Sequence, residues 1–475
     1  MNYYKMSLSY DFIIVGGGPC GLTLALYLSE LKNKILLIDR NESLGGCHRV
    51  SRVGEQNLFS EHGPRMYSSS YVNVRNHILP KINTTWDETF TKSFFDISSI
   101  QGFTLNSFSL REKSIMLLNF MKLIFFLEND LKYTSVKEFY TKHNFSKDSI
   151  DFMERLCRLT DGAGAERYTM YEFFQLLNQN FFHHLYQPKQ PNDKYLFQLW
   201  EDKLRKNGVD FINNINVEKI NEKEKFLLTS DDNKFYYSEK VFFCIPPKFF
   251  TKILIKNETL YNHFSKINNF DLKTWSDDNS YIDDISITFH WKDEINSERS
   301  WGFPRNDWGM AYVILSDYMK PEEGYKTVIS SCITFGEVKS KLLGKSPFEL
   351  LENGEVDLVI NEAFRQLSEA LKINKNYDKA ILKKKGEDSA YVETNKQQFF
   401  RKYDYESEIY YVGTQNGNSY YHFTSMESAV TNALFCLKDL GVFENKIERP
   451  FELIFLIRIL IVLTLLVILF YKYKA

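Results

Sequence analysis

Cysteine is scarce and scattered. The six cysteines, Cys20, Cys47, Cys157, Cys244, Cys332 and Cys436, are spread over 475 residues, and no two stand at C-x-x-C spacing. That excludes an obvious zinc site or redox-active dithiol and makes a reduced, cytosolic setting the default. An excess of charge is missing too. With 59 Lys and Arg against 61 Asp and Glu, the net charge of -2 gives no reason to expect nucleic acid or a strongly basic membrane-binding surface. The stretch from Met1 to Tyr10 is polar and lacks the apolar core of a signal peptide. The glycosylation sequons at Asn41, Asn83, Asn144 and Asn257 are therefore read as incidental. His183 and His184 are adjacent and cannot both face one metal from a regular helix, so no metal site is expected. No Ser-His-Asp or paired-carboxylate arrangement can be argued either.

What is present begins with ordinary bulk properties. A 44% hydrophobic and 25% charged composition is that of a folded globular protein. The length exceeds one ordinary core and predicts two domains plus extras. The 40 Phe and 29 Tyr read mainly as AT-rich coding bias, with an aromatic-lined pocket as the alternative.

The strongest local signal lies near the start. Phe12 to Val15 is a short apolar run and predicts a buried parallel strand. It leads into Gly16-Gly17-Gly18-Pro19-Cys20-Gly21, which has G-x-G-x-x-G spacing. Leu22 to Leu31 is apolar at helical spacing, and a second strand, Lys34 to Ile38, ends in Asp39. That is a complete β-α-β unit with its dinucleotide fingerprint in context. Gly16 permits the tight turn, Gly18 a close backbone approach to a pyrophosphate, and Gly21 the packing of helix on sheet. The pyrophosphate would sit on helix N–H groups near Pro19 and Cys20. Asp39 can accept from a ribose diol.

After Asp39 and Arg40 comes Gly45-Gly46-Cys47-His48-Arg49. This glycine pair resembles that of the two-dinucleotide-binding-domain flavoproteins, and further segments resemble the flavin amine oxidase and protoporphyrinogen-oxidase-like superfamily within them. The resemblance implies FAD rather than NAD, with Gly45 and Gly46 beside the pyrophosphate. The family's arginine would be Arg49, two residues later than usual. It also places Cys47 near the cofactor, though a small apolar filler is the plainer reading of that thiol. His62-Gly63-Pro64-Arg65-Met66-Tyr67 resembles the stretch crossing the flavin and, more loosely, that of UDP-galactopyranose mutase. Gly63 and Pro64 would then touch cofactor, and Arg65 would stabilise anionic reduced flavin at N1/C2=O. A strand ending in Pro246-Pro247 resembles the exit from the family's middle segment, where Val217 would meet adenine through its backbone. Glu408 to Gly417 and the helix from Ser425 resemble the closing motif, which would make Gly413, Met426 and Glu427 contacts. Thr414 stands where the family usually has an acid. Tyr420, Tyr421 and His422 could wall the pocket or be core aromatics.

The expected fold class is α/β: a discontinuous Rossmann-like FAD-binding domain (10–72, 191–248 and 388–445) and an α+β substrate domain (73–190, mostly helical, and 249–387, sheet plus helix). A transmembrane helix over 453–471 completes it. Ile115 to Leu127 is strongly apolar but too short to span; it reads as a buried helix, with partial membrane dipping as the alternative. Leu453 to Tyr471, at about 1.5 Å per residue, reaches roughly 28 Å and suits a single-pass tail anchor. Arg458, its one charge, is expected to snorkel to the interface, and the catalytic part to stay on the cytosolic side.

The resemblance implies an FAD-dependent oxidoreductase that takes a hydride from a C–N or C–C bond of a small substrate, and the membrane anchor points to an apolar or lipid-derived one. Two other readings stand beside it: a non-redox sugar-nucleotide mutase working with reduced flavin, and a non-catalytic prenyl-GTPase escort protein of the same fold. Oligomeric state is left open.

Overall fold

The computed structural model describes residues 9–93, 107–161, 164–222, 225–281, 284–297, 304–383, 391–392, 398–400 and 408–474. The central sheet is built on Ser9–Val15. It pairs in parallel with Ile35–Ile38 on one side and Phe235–Phe243 on the other, and Asp210–Ile212 extends the sheet beyond Ile35–Ile38. Ile35–Ile38 is buried throughout, as a continuous apolar run covered on both faces should be.

The strand that leads to Pro246-Pro247 is long, Phe235–Phe243. Its first half makes an antiparallel hairpin with Phe226–Ser230, which in turn pairs with Val217–Asn221. Its second half runs parallel to Ile409–Tyr411. The parallel strands thus end together, at Val15, Ile38, Phe243 and Tyr411, and such an edge is where ligands bind in open α/β sheets. Two helices, Pro19–Glu30 and Met426–Asp439, pack against each other there.

A second sheet is antiparallel, ordered Met310–Ile314, Thr327–Ile333, Ile285–Trp291, Lys379–Lys383. Ile285–Trp291 alternates in sequence like a half-buried strand, yet both its faces are buried. Ile287, Phe289 and Trp291 join a core with the helix Val356–Leu371. The polar face is covered by the hairpin Val50–Val53/Leu58–Glu61: Ser286 Oγ donates to Glu61 O (2.8 Å), and His290 Nε2 bonds Phe59 O (3.0 Å). Alternation alone does not reveal such a cover.

The stretch 73–190 is mainly helical, but Phe90–Lys92 and Leu185–Pro188 form a small sheet with Tyr67–Ser68. The apolar run at 115–127 is two-faced rather than buried. In the helix Leu110–Ile124, Phe120, Leu123 and Ile124 pack inward, while Leu117 and Leu118 are exposed. The small-residue stretch Asp161–Ala165 lies partly outside the described residues, since 162 and 163 are not among them. The last helix, Leu453–Lys474, is long and apolar enough to cross a membrane, and little of it is buried.

Candidate cofactor and substrate cavity

A cavity of about 550 Å³ opens at the ends of the parallel strands. Its walls bring together Gly16, Gly18, Pro19, Cys20, Asp39, Arg40, Gly46, Cys47, Arg49, Gly63, Pro64, Arg65, Val217, Gly413 and Thr414, which come from five separate stretches of chain. Four other candidates from the sequence are not in the walls: Gly21, Gly45, Met426 and Glu427.

The glycines divide by what a side chain would strike. Gly16 has φ +110°, and a Cβ there would lie 2.4 Å from Cys244 O. A Cβ on Gly21 would lie 2.0 Å from Gly16 O, so Gly21 serves packing. At Gly18 the nearest atom would be Gly46 Cα at 3.6 Å, an ordinary contact. A side chain at Gly18 would therefore enter the cavity without striking the protein. Gly18 also caps the helix Pro19–Glu30 without a side-chain acceptor for the first N–H groups, which leaves them for an anion. These features fit a dinucleotide pyrophosphate.

Asp39 is more engaged than the sequence suggests. Oδ2 accepts from Gly17 N (2.6 Å), and Oδ1 accepts from Asn41 N (2.7 Å) and Asn41 Nδ2 (2.9 Å). A carboxylate has about four acceptor sites, so a ribose diol would share Asp39 with the turn it holds. Arg40 lies over the Phe249 ring at 4.5 Å in the same end of the cavity as Val217.

Gly45 has φ +115°, and a Cβ there would meet the Phe197 ring at 2.5 Å; it shapes the turn from behind. The late arginine is explained by a short helical turn, Gly46–His48, which folds Arg49 back so that Nη1 donates to Gly46 O (3.1 Å). Arg65 is held from two sides: Nη2 donates to Cys47 O (2.5 Å), and its own carbonyl accepts from Gln187 Nε2 (2.6 Å). Beneath it, Tyr67 OH accepts from Asn192 Nδ2 (2.8 Å) and lies 3.3 Å from His48 Nδ1. Burial, aided by the charge of Arg65, pushes His48 down to about 3 and keeps it neutral. Burial pushes Glu61 up to about 7, only partly offset by Ser330, Arg65 and Lys383.

Met426 and Glu427 do not line the cavity. The Met426 side chain is fully buried in the core. The Glu427 carboxylate accepts from Asn73 N (2.9 Å), Asn73 Nδ2 (2.7 Å) and Val74 N (3.0 Å). It ties the closing helix to the chain after the first segment. The helix end itself still faces the cavity through Ser425.

The far wall was not legible in the sequence. It includes Arg158, Thr160, Asp284, Cys332 and Thr334. Cys332 and Thr334 are two apart along an extended segment, and Arg158 Nη1 donates to Thr334 O (3.0 Å). Only this period of two could have hinted at them, and nothing marked which face it was. Tyr421 lines the cavity, whereas Tyr420 and His422 do not; His422 Nε2 lies 3.3 Å from Tyr171 OH. His183 is engaged with Ser69 Oγ (3.0 Å) and Phe451 O (3.1 Å). Among the described residues, no group of three or more His, Cys, Asp or Glu could hold a metal ion.

Comparison with known proteins agrees with this geometry. Residues 14–79 match the family described as NAD(P)-binding Rossmann-like domain. The chain superposes on an oxidoreductase from Methanosarcina mazei, with TM-score 0.62 and 13% identity, over 91% of this chain and 100% of that one. Wild-type putrescine oxidase bound to putrescine gives TM-score 0.60 at 12% identity, over 91% and 99% of the chains. The chain has their fold. A protein from Exiguobacterium sp. 255-15 described as a protoporphyrinogen oxidase gives 0.57 at 14% identity, over 91% and 98%. Among curated proteins, UDP-galactopyranose mutase of Mycoplasma genitalium is 32% identical over 73 residues, 15% of this chain. Thiamine thiazole synthase of Methanococcus vannielii is 43% identical over 54 residues, 11% of this chain. These matches span 18% and 21% of those two proteins, about a fifth of each.

Proposed function

We propose that the chain is an FAD-dependent oxidoreductase of the amine-oxidase type, taking a hydride from a C–N or C–C bond of a small molecule. The observation that carries this is one cavity walled at one end by Gly18, Asp39 and Val217 and at the other by Arg65 and the second sheet. FAD, when bound, supplies the hydride acceptor. In this reading Gly16, Gly18, Pro19, Cys20, Gly46 and Arg49 hold the pyrophosphate, and Asp39, Arg40 and Val217 hold the adenosine. Gly63, Pro64, Arg65, Gly413 and Thr414, with the helix end at Ser425 and Met426, surround the flavin. Arg65 supplies fixed positive charge where the reduced ring gains negative charge. Arg158, Thr160, Asp284, Cys332 and Thr334 orient the substrate carbon. The two-part organisation follows the sheets: the parallel sheet as cofactor domain, the antiparallel sheet and the helices of 73–190 as substrate domain. Leu453–Lys474 anchors the protein in a membrane, with the catalytic part on the cytosolic side.

The test is to denature the purified protein and identify what is released by mass. FAD in near-equal amount to protein supports the reading; no flavin, even after incubation with FAD, refutes it.

A second reading, a flavin-dependent sugar-nucleotide mutase, is favoured by the match to UDP-galactopyranose mutase and by the His62–Tyr67 segment. It requires turnover of a sugar nucleotide only when the flavin is reduced.

A further inference from the structure

The C-terminal helix does not leave the body freely. Its first turns are docked: Ile454 N donates to Asn178 Oδ1 (2.8 Å), and Arg458 Nε donates to Ile124 O (2.9 Å) with Nη2 on Leu123 O. The Arg458 guanidinium also stacks on the Phe126 ring at 3.5 Å. From Val462 onward the helix is exposed through Tyr473. That free part, at 1.5 Å per residue, is about 18 Å long. A hydrocarbon core is about 30 Å thick. The free part alone is too short to cross, whereas the whole apolar stretch, Leu453–Tyr473, reaches about 32 Å. A spanning helix must therefore bring its docked turns, and the body beside them, below the lipid surface.

The body beside those turns is apolar and exposed. On the helix Leu110–Ile124 and the loop after it, Leu117, Leu118, Phe126 and Leu127 are 61–71% exposed. Leu177 and Phe181, at the end of the helix Met170–Asn180, are 50% and 57% exposed. Phe182 continues the patch to Phe451, ring centroids 5.3 Å apart. So many large apolar side chains exposed on neighbouring segments are rare on a soluble face. Charges at its border are neutralised within the protein: Lys122 with Asp130, Lys132 with Glu128, Arg449 with Glu452. Arg458 places two of its five donors on the carbonyls of Leu123 and Ile124, which holds its guanidinium against the body.

We propose that this shoulder, formed by the 110–127 segment and the end of the 170–182 segment, is embedded in the same lipid leaflet that the C-terminal helix enters. The proposal rests on the membrane-anchor reading and deepens it. The partner is the acyl region of a bilayer, recognised by apolar contact and not by anionic headgroups. The helix Met170–Asn180 also gives Leu176 and Asn180 to the cavity wall, so one helix separates the cavity from lipid, and an apolar substrate could enter from that side.

The test uses the full-length protein reconstituted in phosphatidylcholine vesicles. An environment-sensitive fluorophore is placed on a cysteine at one position at a time: Leu118→Cys, Phe126→Cys, Leu465→Cys in the free helix, and Phe235→Cys on the hairpin edge of the central sheet. The unsubstituted protein serves as blank for native thiols. Quenching by acyl-chain nitroxide lipid is compared with quenching by aqueous iodide. The proposal expects positions 118 and 126 to behave like 465, quenched by lipid and shielded from iodide, and 235 to behave oppositely. If 118 and 126 follow 235 while 465 remains in lipid, the shoulder is not embedded, although the anchor stands. If 465 is itself open to iodide, the anchor reading fails and this proposal with it.

Discussion

Arg65 donates from Nη2 to the carbonyl of Cys47 at 2.5 Å, which locks the segment crossing the cavity to the turn that follows the glycine pair. A side chain fixed in this way can present positive charge without reorganising when charge develops on a ligand. Arg65→Met should retain FAD but lower its two-electron midpoint potential by roughly 30–60 mV, about 1.4–3 kcal/mol. Spectroelectrochemical titration checks this. An unchanged potential in a flavin-loaded variant would remove Arg65 from its assigned role.

Gly18 and Gly21 should respond differently to substitution. Gly18→Val places bulk where the nearest atom, Gly46 Cα, stands 3.6 Å from the Cβ, so thermal stability of the cofactor-free protein should change little while FAD retention is lost. Gly21→Ala drives a Cβ to within 2.0 Å of Gly16 O and should destabilise the fold by about 1–3 kcal/mol. Calorimetry on both, with the flavin content measured separately, distinguishes ligand space from packing space.

Glu427 should behave as a structural acid. Glu427→Ala leaves the buried backbone N–H groups of Asn73 and Val74 without their acceptor, while Asn73 Nδ2 keeps Thr431 Oγ1 and Glu448 O, an expected loss of about 3 kcal/mol. The flavin spectrum of whatever protein remains folded should be unaltered.

The buried Glu61 predicts a pH dependence of stability. Its folded value, about 7, stands above the ordinary 4.5, so between those values the folded state binds the proton and the unfolded state has lost it. Stability contributed this way is fully present below about 4.5 and declines as pH rises towards 7. Glu61→Gln should flatten that decline. Glu172 and Glu427, also raised to about 7, leave a residual slope. His48 acts oppositely: held at about 3 against an ordinary 6.5, it costs stability as pH falls below 6.5. Urea midpoints measured from pH 4 to 8 for both proteins test the assignment.

The β-α-β unit from Ser9 to Asp39 was readable because every element is local: strand period, glycine spacing, helix and acid lie within one stretch. Gly413 and the closing helix were readable for the same reason. Arg49 looked displaced because the turn Gly46–His48, which folds it back, cannot be seen in spacing. The partners of the Glu427 side chain, Asn73 and Val74, could not be read from the sequence, since they are more than 350 positions away. Cys332, Thr334 and Arg158 meet only through tertiary packing, and no local pattern separates them from core residues. The hairpin Val50–Glu61, too short and polar to stand out, buries the second, polar face of Ile285–Trp291.

The most direct test of the account is the visible absorption spectrum of the purified protein, before and after anaerobic reduction. The account predicts flavin bands near ~375 and ~450 nm that bleach on reduction and return with an electron acceptor. A colourless protein that takes up no added FAD would contradict it, and the cavity would then belong to a binding protein and not to an oxidoreductase.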